Sequence, residues 1–299
     1  MFKSGYVNII GRPNVGKSTL MNALLGDKLS IITNKPQTTR HRILGIMSDD
    51  EYQIIFSDTP GIIRTPSYKM QEAMNRASHS TFEDADIMIF VTEKLEKYTD
   101  DDPILKRLQH VEAPLFLVYN KIDSMKEEDV LLAISEWSKR LNFKEIIPIS
   151  ALKKQNTDSL LNVIKSYLPE GPKYFPDDQL TDRSERFFAS EIIREKILTF
   201  YDDEIPYSCE VQIDDFKEGT TRDGKPIVRI YSTIYVARKT QKPILIGANG
   251  SAIKRVGTEA RKSMEKFFES AVFLDLNVKI RENWRDDDKF LSYFGYNNK

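Results

Sequence analysis

The stretch that decides the fold lies near the start of the chain, where residues 11–18 read Gly-Arg-Pro-Asn-Val-Gly-Lys-Ser. It joins an apolar run at 6–10 to an amphipathic stretch at 17–25, which predicts a turn between a strand and a helix. The two glycines let backbone N–H groups turn inward around an anion, and the helix N-terminus adds partial positive charge. The pattern predicts a phosphate-binding loop in which Lys17 reaches the β- and γ-phosphates and Ser18 binds Mg²⁺.

A second motif, Asp-Thr-Pro-Gly at 58–61, follows a predicted strand at 52–57. An aspartate in this place can hold Mg²⁺ through a water, and the backbone N–H of Gly61 can contact the γ-phosphate. Loss of the γ-phosphate removes that contact and frees the following segment. The motif therefore predicts a molecule that changes shape when its nucleotide is hydrolysed.

The base is identified by a third motif, Asn-Lys-Ile-Asp at 120–123, which follows the predicted strand 114–119. The Asp123 carboxylate can accept hydrogen bonds from the ring N–H and the exocyclic amine of guanine, whereas adenine offers neither. A site built to pair such groups rejects the wrong base by about 10⁴ or more. The backbone of Ser-Ala-Leu at 150–152 would brace the base from the other side. The motifs predict GTP and disfavour the alternative of a small-molecule kinase that uses ATP.

Between the first two motifs, residues 35–42 read Lys-Pro-Gln-Thr-Thr-Arg-His-Arg. A threonine in this segment can donate a second protein oxygen to Mg²⁺ in the GTP state. Thr39, immediately before Arg40, is favoured over Thr38. The alternative is a polar loop without a role at the metal.

The expectation for catalysis depends on the residue that follows Gly61. Ras-type GTPases use a glutamine to orient the attacking water, whereas this chain has Ile62 at the corresponding place. Slow intrinsic hydrolysis is therefore expected, on the order of 10⁻⁴–10⁻² s⁻¹. Asn14 offers an oxygen to a monovalent cation where an arginine finger would act, which gives the hypothesis that K⁺ stimulates hydrolysis. Asn14, Lys17 and Gly61 are the candidates for catalysis or cation binding.

Together the motifs predict one nucleotide site with Mg²⁺, and K⁺ as a further candidate cofactor. The predicted Mg²⁺ ligands are Ser18, Thr39 and Asp58. The predicted nucleotide-contact residues are Gly11, Arg12, Pro13, Asn14, Val15, Gly16, Lys17, Ser18, Thr19, Asp58, Thr59, Pro60, Gly61, Ile62, Asn120, Lys121, Ile122, Asp123, Ser150, Ala151 and Leu152.

The first half of the chain alternates apolar runs with amphipathic stretches. The predicted strands are 6–10, 52–57, 86–92, 114–119 and 146–149, and the predicted helices are 17–25, 70–83, 101–110, 126–141 and 157–167. This alternation predicts an α/β P-loop GTPase domain over 1–170, a mostly parallel sheet with helices on both faces. Three prolines and a glycine at 168–178 indicate an extended connector, and the linker is placed at 171–184.

The second half predicts an α+β domain over 185–299 with the order α-β-β-α-α-β. Its predicted elements are a helix at 184–203, strands at 209–216 and 227–237, a short apolar turn at 243–246, a helix at 251–269 and a strand at 272–280. The stripe of Phe187, Ile192, Met264 and Phe267 is interpreted as core rather than as a surface that stacks on bases.

RNA binding is predicted by Gly-Ala-Asn-Gly at 247–250 and by charge. Residues 217–285 contain 15 Lys and Arg against 7 Asp and Glu, a net charge of +8 in a chain whose total is −1. Glycines permit close approach of a single strand, and a helix N-terminus with basic residues meets its phosphates. The alternatives are an ordinary turn and lysines that only solvate the surface. The predicted RNA-contact residues are Ile246, Gly247, Ala248, Asn249, Gly250, Ile253, Lys254 and Arg255.

Composition is typical of a soluble globular protein, with 40% hydrophobic and 30% charged residues and no apolar run long enough for a membrane-spanning helix. Cys209 is the only cysteine, so no internal disulfide can form, which fits a reducing cytosol. The first residues show no secretory pattern. A cytoplasmic monomer is expected.

These residues together resemble the Era family of GTPases over nearly the whole chain. The resemblance is carried by the phosphate loop, by 37–42, 58–61, 120–123, 175–178, 181–183 and 189–196, and by the ending with Trp284, 286–287 and 294–296. It implies a bacterial GTPase with a C-terminal type II KH domain that binds the 3′ end of small-subunit (16S) ribosomal RNA. It also implies a role in assembly of the 30S particle and cycling between the cytoplasm and the inner membrane surface. The tetrapeptide 247–250 departs from the family pattern, because it lacks a lysine often found there.

Two functions are weighed. In the leading one, the nucleotide state of a GTPase gates its engagement of RNA. In the alternative, the protein is a GTP-gated RNA-binding scaffold in which hydrolysis is incidental. Turnover that rises with cognate RNA favours the first, and RNA binding without any stimulation favours the second.

Overall fold

The computed structural model describes residues 1–296, so the last three residues of the predicted second domain lie outside the described part. The chain divides into two compact units. The first comprises Met1–Ser67 and Gln71–Asp182, and the second comprises Tyr68–Met70 and the chain from Arg183 onward.

The first unit is built on a six-stranded sheet. Its strands are β1 Lys3–Ile10, β2 Ile43–Ser48, β3 Tyr52–Asp58, β4 Ile87–Thr92, β5 Leu115–Tyr119 and β6 Glu145–Pro148. Their order is β2-β3-β1-β4-β5-β6, and all neighbours are parallel except β2 and β3. Every residue of β4 and β5 is buried, which explains why both sequences are apolar throughout rather than alternating.

The helices of the first unit are α1 Lys17–Leu25, α2 Lys69–Ser80, α3 Pro103–Leu108, α4 Glu127–Trp137 and α5 Thr157–Tyr167. The predicted α/β class with a mostly parallel sheet is confirmed. The bounds of α1 and α5 agree with the sequence pattern, whereas the other three helices are shorter than predicted. In α2, for example, the N–H of Phe82 bonds to the carbonyl of His79, a tight turn that ends the helix before residue 83.

No strand is predicted at 43–48, whereas the structure has β2 there. β2 is a short edge strand that pairs antiparallel with β3 and contains Gly45. Gly45 lies so close to α1 that an added Cβ would be 2.4 Å from Cδ1 of Leu25. A short strand interrupted by a glycine gives a weak sequence pattern, so close packing decides its place.

The predicted linker runs extended along the first unit. The buried side chain of Gln53 donates to the carbonyl of Phe175 (2.8 Å) and accepts from the N–H groups of Tyr174 and Phe175 (2.7 and 3.0 Å). Thr181 forms an isolated bridge with Gly45 of β2. Backbone groups of the linker, which would bond to water in a free chain, therefore bond to β2 and to the Gln53 side chain of β3.

The second unit contains a three-stranded sheet covered by helices. Its elements are α6 Glu185–Phe200, α7 Ile205–Ser208, β7 Cys209–Thr220, β8 Pro226–Val236, α8 Gln241–Ile246, α9 Ser251–Phe267, β9 Ala271–Ile280 and α10 Asp288–Tyr293. The order is β7-β8-β9, with β7 and β8 antiparallel and β8 and β9 parallel. The predicted order α-β-β-α-α-β is present, with α7 and α10 added to it.

Several boundaries of the second unit differ from the prediction, and the helices predicted at 184–203 and 251–269 end at Phe200 and Phe267. β7 continues past Phe216 to Thr220, because its polar end pairs through backbone atoms with β8 while its side chains face solvent. The apolar segment at 243–246 is the end of helix α8 rather than a turn.

The core of the second unit lies between the sheet and the pair α6 and α9. Val256, Ala260 and Met264 of α9 are fully buried at steps of four residues, and Ile193 of α6 is fully buried in the same cluster. The interpretation of Phe267 as core is wrong, because this ring is 36% exposed at the end of α9. It rests on Phe188 with ring centroids 5.2 Å apart.

The end of the described chain is anchored by Trp284. This side chain is fully buried, and its indole N–H donates to the carbonyl of Ser208 at 3.0 Å. Phe294 packs edge-on against it, with centroids 5.3 Å apart. Within residues 1–296, no helix combines the length and apolarity that crossing a membrane requires.

Met264→Ala is expected to lower the free energy of unfolding of the second unit by about 2–5 kcal/mol, because it removes a fully buried side chain. The measurement is urea unfolding followed by fluorescence in a Trp137→Phe background, where Trp284 is the only tryptophan. Lys262→Ala, on the exposed face of the same helix, is the control and should change stability by less than about 0.5 kcal/mol. Equal effects of the two substitutions would contradict the described core.

Candidate nucleotide site and nucleic-acid interface

The phosphate loop joins the end of β1 to the start of α1. Gly11 and Gly16 have positive φ angles of 151° and 99°. A Cβ on Gly11 would lie 2.4 Å from the carbonyl oxygen of Val91, so only glycine fits. Gly16 occupies the N-cap of α1, and the loop therefore ends where free N–H groups of a helix point outward.

Lys17 is buried beneath this loop. Its ammonium donates to the carbonyl oxygens of Gly11 (3.2 Å) and Arg12 (2.9 Å), which curl around it. Burial lowers the pKa of Lys17 to about 8, and the nearby charge of Asp58 works in the opposite direction. A desolvated ammonium held at the centre of a cradle of N–H groups is suited to an anionic ligand.

Three oxygen-bearing side chains meet beside the loop. The Ser18 hydroxyl donates to Oδ2 of Asp58 at 2.6 Å and lies 2.8 Å from Oγ1 of Thr39. Asp58 is fully buried, which raises its pKa, and its buried Oδ1 accepts no hydrogen bond from the described residues. Thr38 instead bonds through its hydroxyl to the carbonyl of Lys35 at 2.6 Å. The arrangement brings together the three predicted Mg²⁺ ligands.

The segment after β3 lies directly against the phosphate loop. A Cβ on Gly61 would be 2.5 Å from the backbone nitrogen of Pro13, so a glycine is needed for this approach. The N–H of Ile62 donates to the carbonyl of Gly11 at 3.3 Å, while its side chain is buried in the core. Position 62 therefore presents no side chain to the cavity.

The motif at 120–123 is tied to the loop by Asn120. Its amide donates to the carbonyl of Val15 at 2.8 Å, and its Oδ1 accepts from the N–H of Ala151 at 3.0 Å. This side chain is 2% exposed, so it acts as a bracket between three loops. Asp123 is exposed and lines the same cavity as Lys17, where its carboxylate can meet a ligand.

One cavity connects most of the predicted nucleotide residues. The predicted residues that line it are Pro13, Asn14, Gly16, Lys17, Ser18, Thr19, Thr39, Gly61, Asn120, Lys121, Asp123 and Leu152. The predicted residues that support it from outside its wall are Gly11, Val15, Asp58, Thr59, Pro60, Ile62, Ile122, Ser150 and Ala151. The arrangement could hold a nucleotide with its phosphates at the start of α1 and its base between Asp123 and Leu152.

Two predicted residues behave differently from the rest of the loop. The side chain of Arg12 points away from the cavity toward Glu96 and Asp102, so only its backbone remains a candidate for nucleotide contact. Asn14 has a left-handed backbone (φ 64°), and its amide nitrogen donates to the carbonyl of Asn34 at 3.2 Å.

The sequence reasoning missed several residues of the cavity wall. They are Ile31, Ile32, Thr33, Asn34, Gln37, Thr38 and Ser124. Four of them, Ile31, Ile32, Thr33 and Asn34, precede the segment 35–42 and belong to none of the predicted motifs. One signal was present, because the apolar pair Ile31 and Ile32 directly precedes a polar stretch, and Ile32 is 41% exposed in the structure.

The tetrapeptide 247–250 forms a tight turn between α8 and α9. Gly247 has φ 74°, and a Cβ there would lie 2.6 Å from that of Ala252. Gly250 is the N-cap of α9 with φ 75° and has open space around it. Ala248 and Asn249 are exposed at the tip, so a ligand can approach the helix N-terminus closely.

A groove runs from this turn between α9 and β9. Ile253 and Lys254 line it as predicted, whereas Gly257, Thr258 and Arg261 are residues that sequence reasoning missed. They follow Lys254 at steps of three and four, a spacing that could have identified them. The apolar floor is formed by Val272, Leu274 and Leu276 of β9. Basic rims above an apolar floor suit a single strand whose bases face inward.

Two predicted RNA-contact residues, Ile246 and Arg255, do not line this groove. Ile246 is half-buried against the core of the second unit. The guanidinium of Arg255 lies 4.1 Å from the centroid of Phe200 on α6 and does not line the groove. Helical geometry explains this, because Arg255 is about 100° around the axis from Lys254.

Comparisons with known proteins agree with both halves. A family model described as 50S ribosome-binding GTPase matches residues 6–121, and a model described as KH domain matches residues 204–285. GTPase Era of Syntrophus aciditrophicus is 49% identical over 298 residues, covering 99% of this chain and 96% of the relative.

Two solved structures are similar along the whole chain. One is Era in complex with MgGDPNP and nucleotides 1506–1542 of 16S ribosomal RNA, and the other is a variant of Aquifex aeolicus Era bound to GDP and AlF₄⁻. Each has a TM-score of 0.92 and 39% identity, and covers 99% of both chains. Full-length similarity at this level, together with both sites, shows that the chain belongs to the Era family of GTPases.

Proposed function

We propose that this GTPase binds the 3′ end of 16S ribosomal RNA, acts in assembly of the 30S subunit, and uses its nucleotide state to gate its stay on RNA. The observation that carries the proposal is the presence in one chain of a phosphate loop closely approached by Gly61 and of a groove beside a Gly-x-x-Gly turn. The solved Era complex with both MgGDPNP and 16S RNA supports it.

Guanine recognition is assigned to Asp123. Its exposed carboxylate can accept from the ring N–H and the amine of guanine, while Asn120 is committed to bonds with the loops beside it. Lys121 contributes an ion pair with Glu93 (3.6 Å), which holds the motif against the chain after β4. Leu152 is 74% exposed at the cavity and offers an apolar contact to the base.

Magnesium fits the cluster of Ser18, Thr39 and Asp58. The unpartnered, fully buried Oδ1 of Asp58 and the two adjoining hydroxyls form the hard oxygen set that Mg²⁺ prefers, with substrate phosphates as the remaining ligands. When bound, the ion neutralises phosphate charge and orients the phosphates. The chain itself would hold the nucleotide with Lys17 and the loop N–H groups.

The chemistry assigned to this chain is slow hydrolysis of GTP, with Gly61 in a position to respond to the presence of the γ-phosphate. Gly61 lies against Pro13, so its N–H is at the edge of the phosphate cradle. Departure of the γ-phosphate would remove the ligand that draws Gly61 and Thr39 to the loop. Because Ile62 is buried, no side chain at this position can orient water, and the GTP state is long-lived.

RNA binding is assigned to the turn 247–250 and the groove beyond it. The exposed turn and the N-terminus of α9 would meet phosphates, and Lys254 and Arg261 would extend this contact along the groove. The alternative is a scaffold in which hydrolysis is incidental. The two functions are distinguished by the rate of GTP turnover, which rises with RNA only if hydrolysis is part of the cycle. Cytoplasmic location and a monomeric state stay predictions from the sequence, and contact with the inner membrane surface stays a prediction from the family resemblance.

We also propose that K⁺ bound near Asn14 accelerates hydrolysis, because a cation there offsets charge that develops on the phosphates. In this case kcat of the unsubstituted protein is severalfold higher in KCl than in NaCl of equal ionic strength. Asn14→Gly, which tolerates φ 64° but lacks the amide, has the same kcat in both salts. Asn283→Gly, at another left-handed asparagine (φ 53°), keeps the difference. Equal rates of the unsubstituted protein in the two salts would rule this out.

Arg261→Ala is expected to weaken binding of an RNA with the sequence of 16S nucleotides 1506–1542, because it removes a cation from the groove. For each lost phosphate contact the slope of log K against log salt should become shallower by about 0.7. Fluorescence anisotropy at several salt concentrations measures both quantities. Lys262→Ala, one residue away and paired with Glu259, should leave both unchanged. An equal loss in the two variants would show nonspecific electrostatics instead of a groove.

A further inference from the structure

The arginine of the phosphate loop is held by a set of contacts outside the nucleotide cavity. Nη1 of Arg12 donates to Oε2 of Glu96 (2.8 Å) and to the carbonyl of Lys97 (2.8 Å). Nη2 donates to Oδ2 of Asp102 at 2.5 Å. The guanidinium also lies 4.0 Å from the ring centroid of Tyr98. These four partners use both Nη groups and one face of the guanidinium, so the side chain has a single defined position.

Asp102 is the central member of this set. Its side chain is fully buried, and its Oδ1 accepts from the N–H of Ile104 at 3.0 Å, which caps α3. The other oxygen binds Arg12, so one carboxylate joins the phosphate loop to the start of a helix. A fully buried carboxylate needs such a partner, because an uncompensated charge in the interior is strongly destabilising.

The same carboxylate also reaches the segment that follows Gly61. Nε of Arg64 lies 3.9 Å from Oδ2 of Asp102, the atom that binds Arg12. Asp102 therefore stands between two parts of the proposed GTP site. One is the loop that would cradle the phosphates, and the other is the segment that would sense the γ-phosphate.

Arg12 can affect the nucleotide site without contacting a nucleotide itself. The carbonyl of Arg12 accepts from Nζ of Lys17 at 2.9 Å, so a shift of the Arg12 backbone would move the lysine that faces the phosphates. Neither the Arg12 nor the Asp102 side chain lines the nucleotide cavity. A direct contact of the Arg12 guanidinium with phosphate would require it to leave four partners.

We propose that Arg12 and Asp102 form a positioning pair that holds the phosphate loop in the geometry needed for hydrolysis and, through Arg64, couples it to the segment after Gly61. The pair acts on kcat rather than on nucleotide affinity, because ground-state binding tolerates small shifts of the loop that the transition state does not. The inference rests on the GTP site proposed above.

The experiment separates positioning from simple stabilisation by removing both charges together. Arg12→Met removes the partner of both Asp102 and Glu96, and Asp102→Asn leaves Arg12 with Glu96 as its one carboxylate partner. The double variant leaves no uncompensated charge between positions 12 and 102, and Asn can still cap α3. In the full-length protein, the affinity for a fluorescent GDP, KM and kcat for GTP, and the urea midpoint are measured for all three variants. Asp86→Asn is the matched control, because Asp86 also accepts a backbone N–H, from Tyr6, but at the opposite end of the sheet.

The expected result is that the double variant recovers most of the urea midpoint lost by Arg12→Met, while its kcat stays about tenfold below that of the unsubstituted protein. Its GDP affinity and KM should change less than about threefold, and Arg12→Lys should restore part of kcat because it keeps one charged bond to the carboxylates. Asp86→Asn should keep kcat.

Two results would overturn the inference. A double variant with normal kcat would mean that the pair only stabilises the fold. A loss of GDP affinity that parallels the loss of kcat/KM would mean that Arg12 contacts the nucleotide. Failure of the unsubstituted protein to bind or hydrolyse GTP would refute the site itself, a separate outcome that the same assays detect.

Discussion

Two hydrogen bonds of one buried side chain hold the nucleotide site together. Asn120 donates to the carbonyl of Val15 and accepts from the N–H of Ala151, so the phosphate loop, the base-recognition motif and the loop after β6 cannot move independently. The position of Asn120 also explains why residue 16 is a glycine, because a Cβ there would lie 2.2 Å from Nδ2 of Asn120. The parallel strands bring these loops to one edge of the sheet, and Asn120 then fixes the distance between the phosphate end and the base end of the cavity.

Each half of the chain has a glycine N-cap at a helix N-terminus that is suited to phosphate, of a nucleotide in the first half and of an RNA backbone in the second. In each, a glycine with a left-handed backbone caps a helix, Gly16 before α1 and Gly250 before α9. A helix N-terminus with no side chain in front of it presents free N–H groups to phosphate, whether of a nucleotide or of an RNA backbone. The halves differ in what surrounds this helix N-terminus. Lys17 is buried beneath the first turn, whereas the second turn is exposed and continues into an open groove.

The sequence predicts most of the fold because its periodicities are strong where packing is regular. Both bounds of α1 and α5, the parallel sheet and the order of the second unit follow from these patterns and from the motifs. The missed strand β2 and the polar end of β7 depend on backbone pairing, which leaves little trace in side-chain pattern. Arg12 shows a different limit. Its place in a phosphate loop suggests contact with the ligand, but its direction is decided by Glu96 and Asp102, more than 80 residues away in sequence. Arg261 of the groove was missed because it follows Gly250, the last residue of the motif, by about three helical turns.

The central claim is that nucleotide state gates the engagement of RNA, and the most direct test is RNA affinity in two nucleotide states. The affinity for an RNA with the sequence of 16S nucleotides 1506–1542 is measured with Mg²⁺ and either GDP or GDPNP, at one stated salt concentration. The account predicts at least about fivefold tighter binding with GDPNP, the usual lower range of coupling between two sites. Equal affinities in the two states would contradict it.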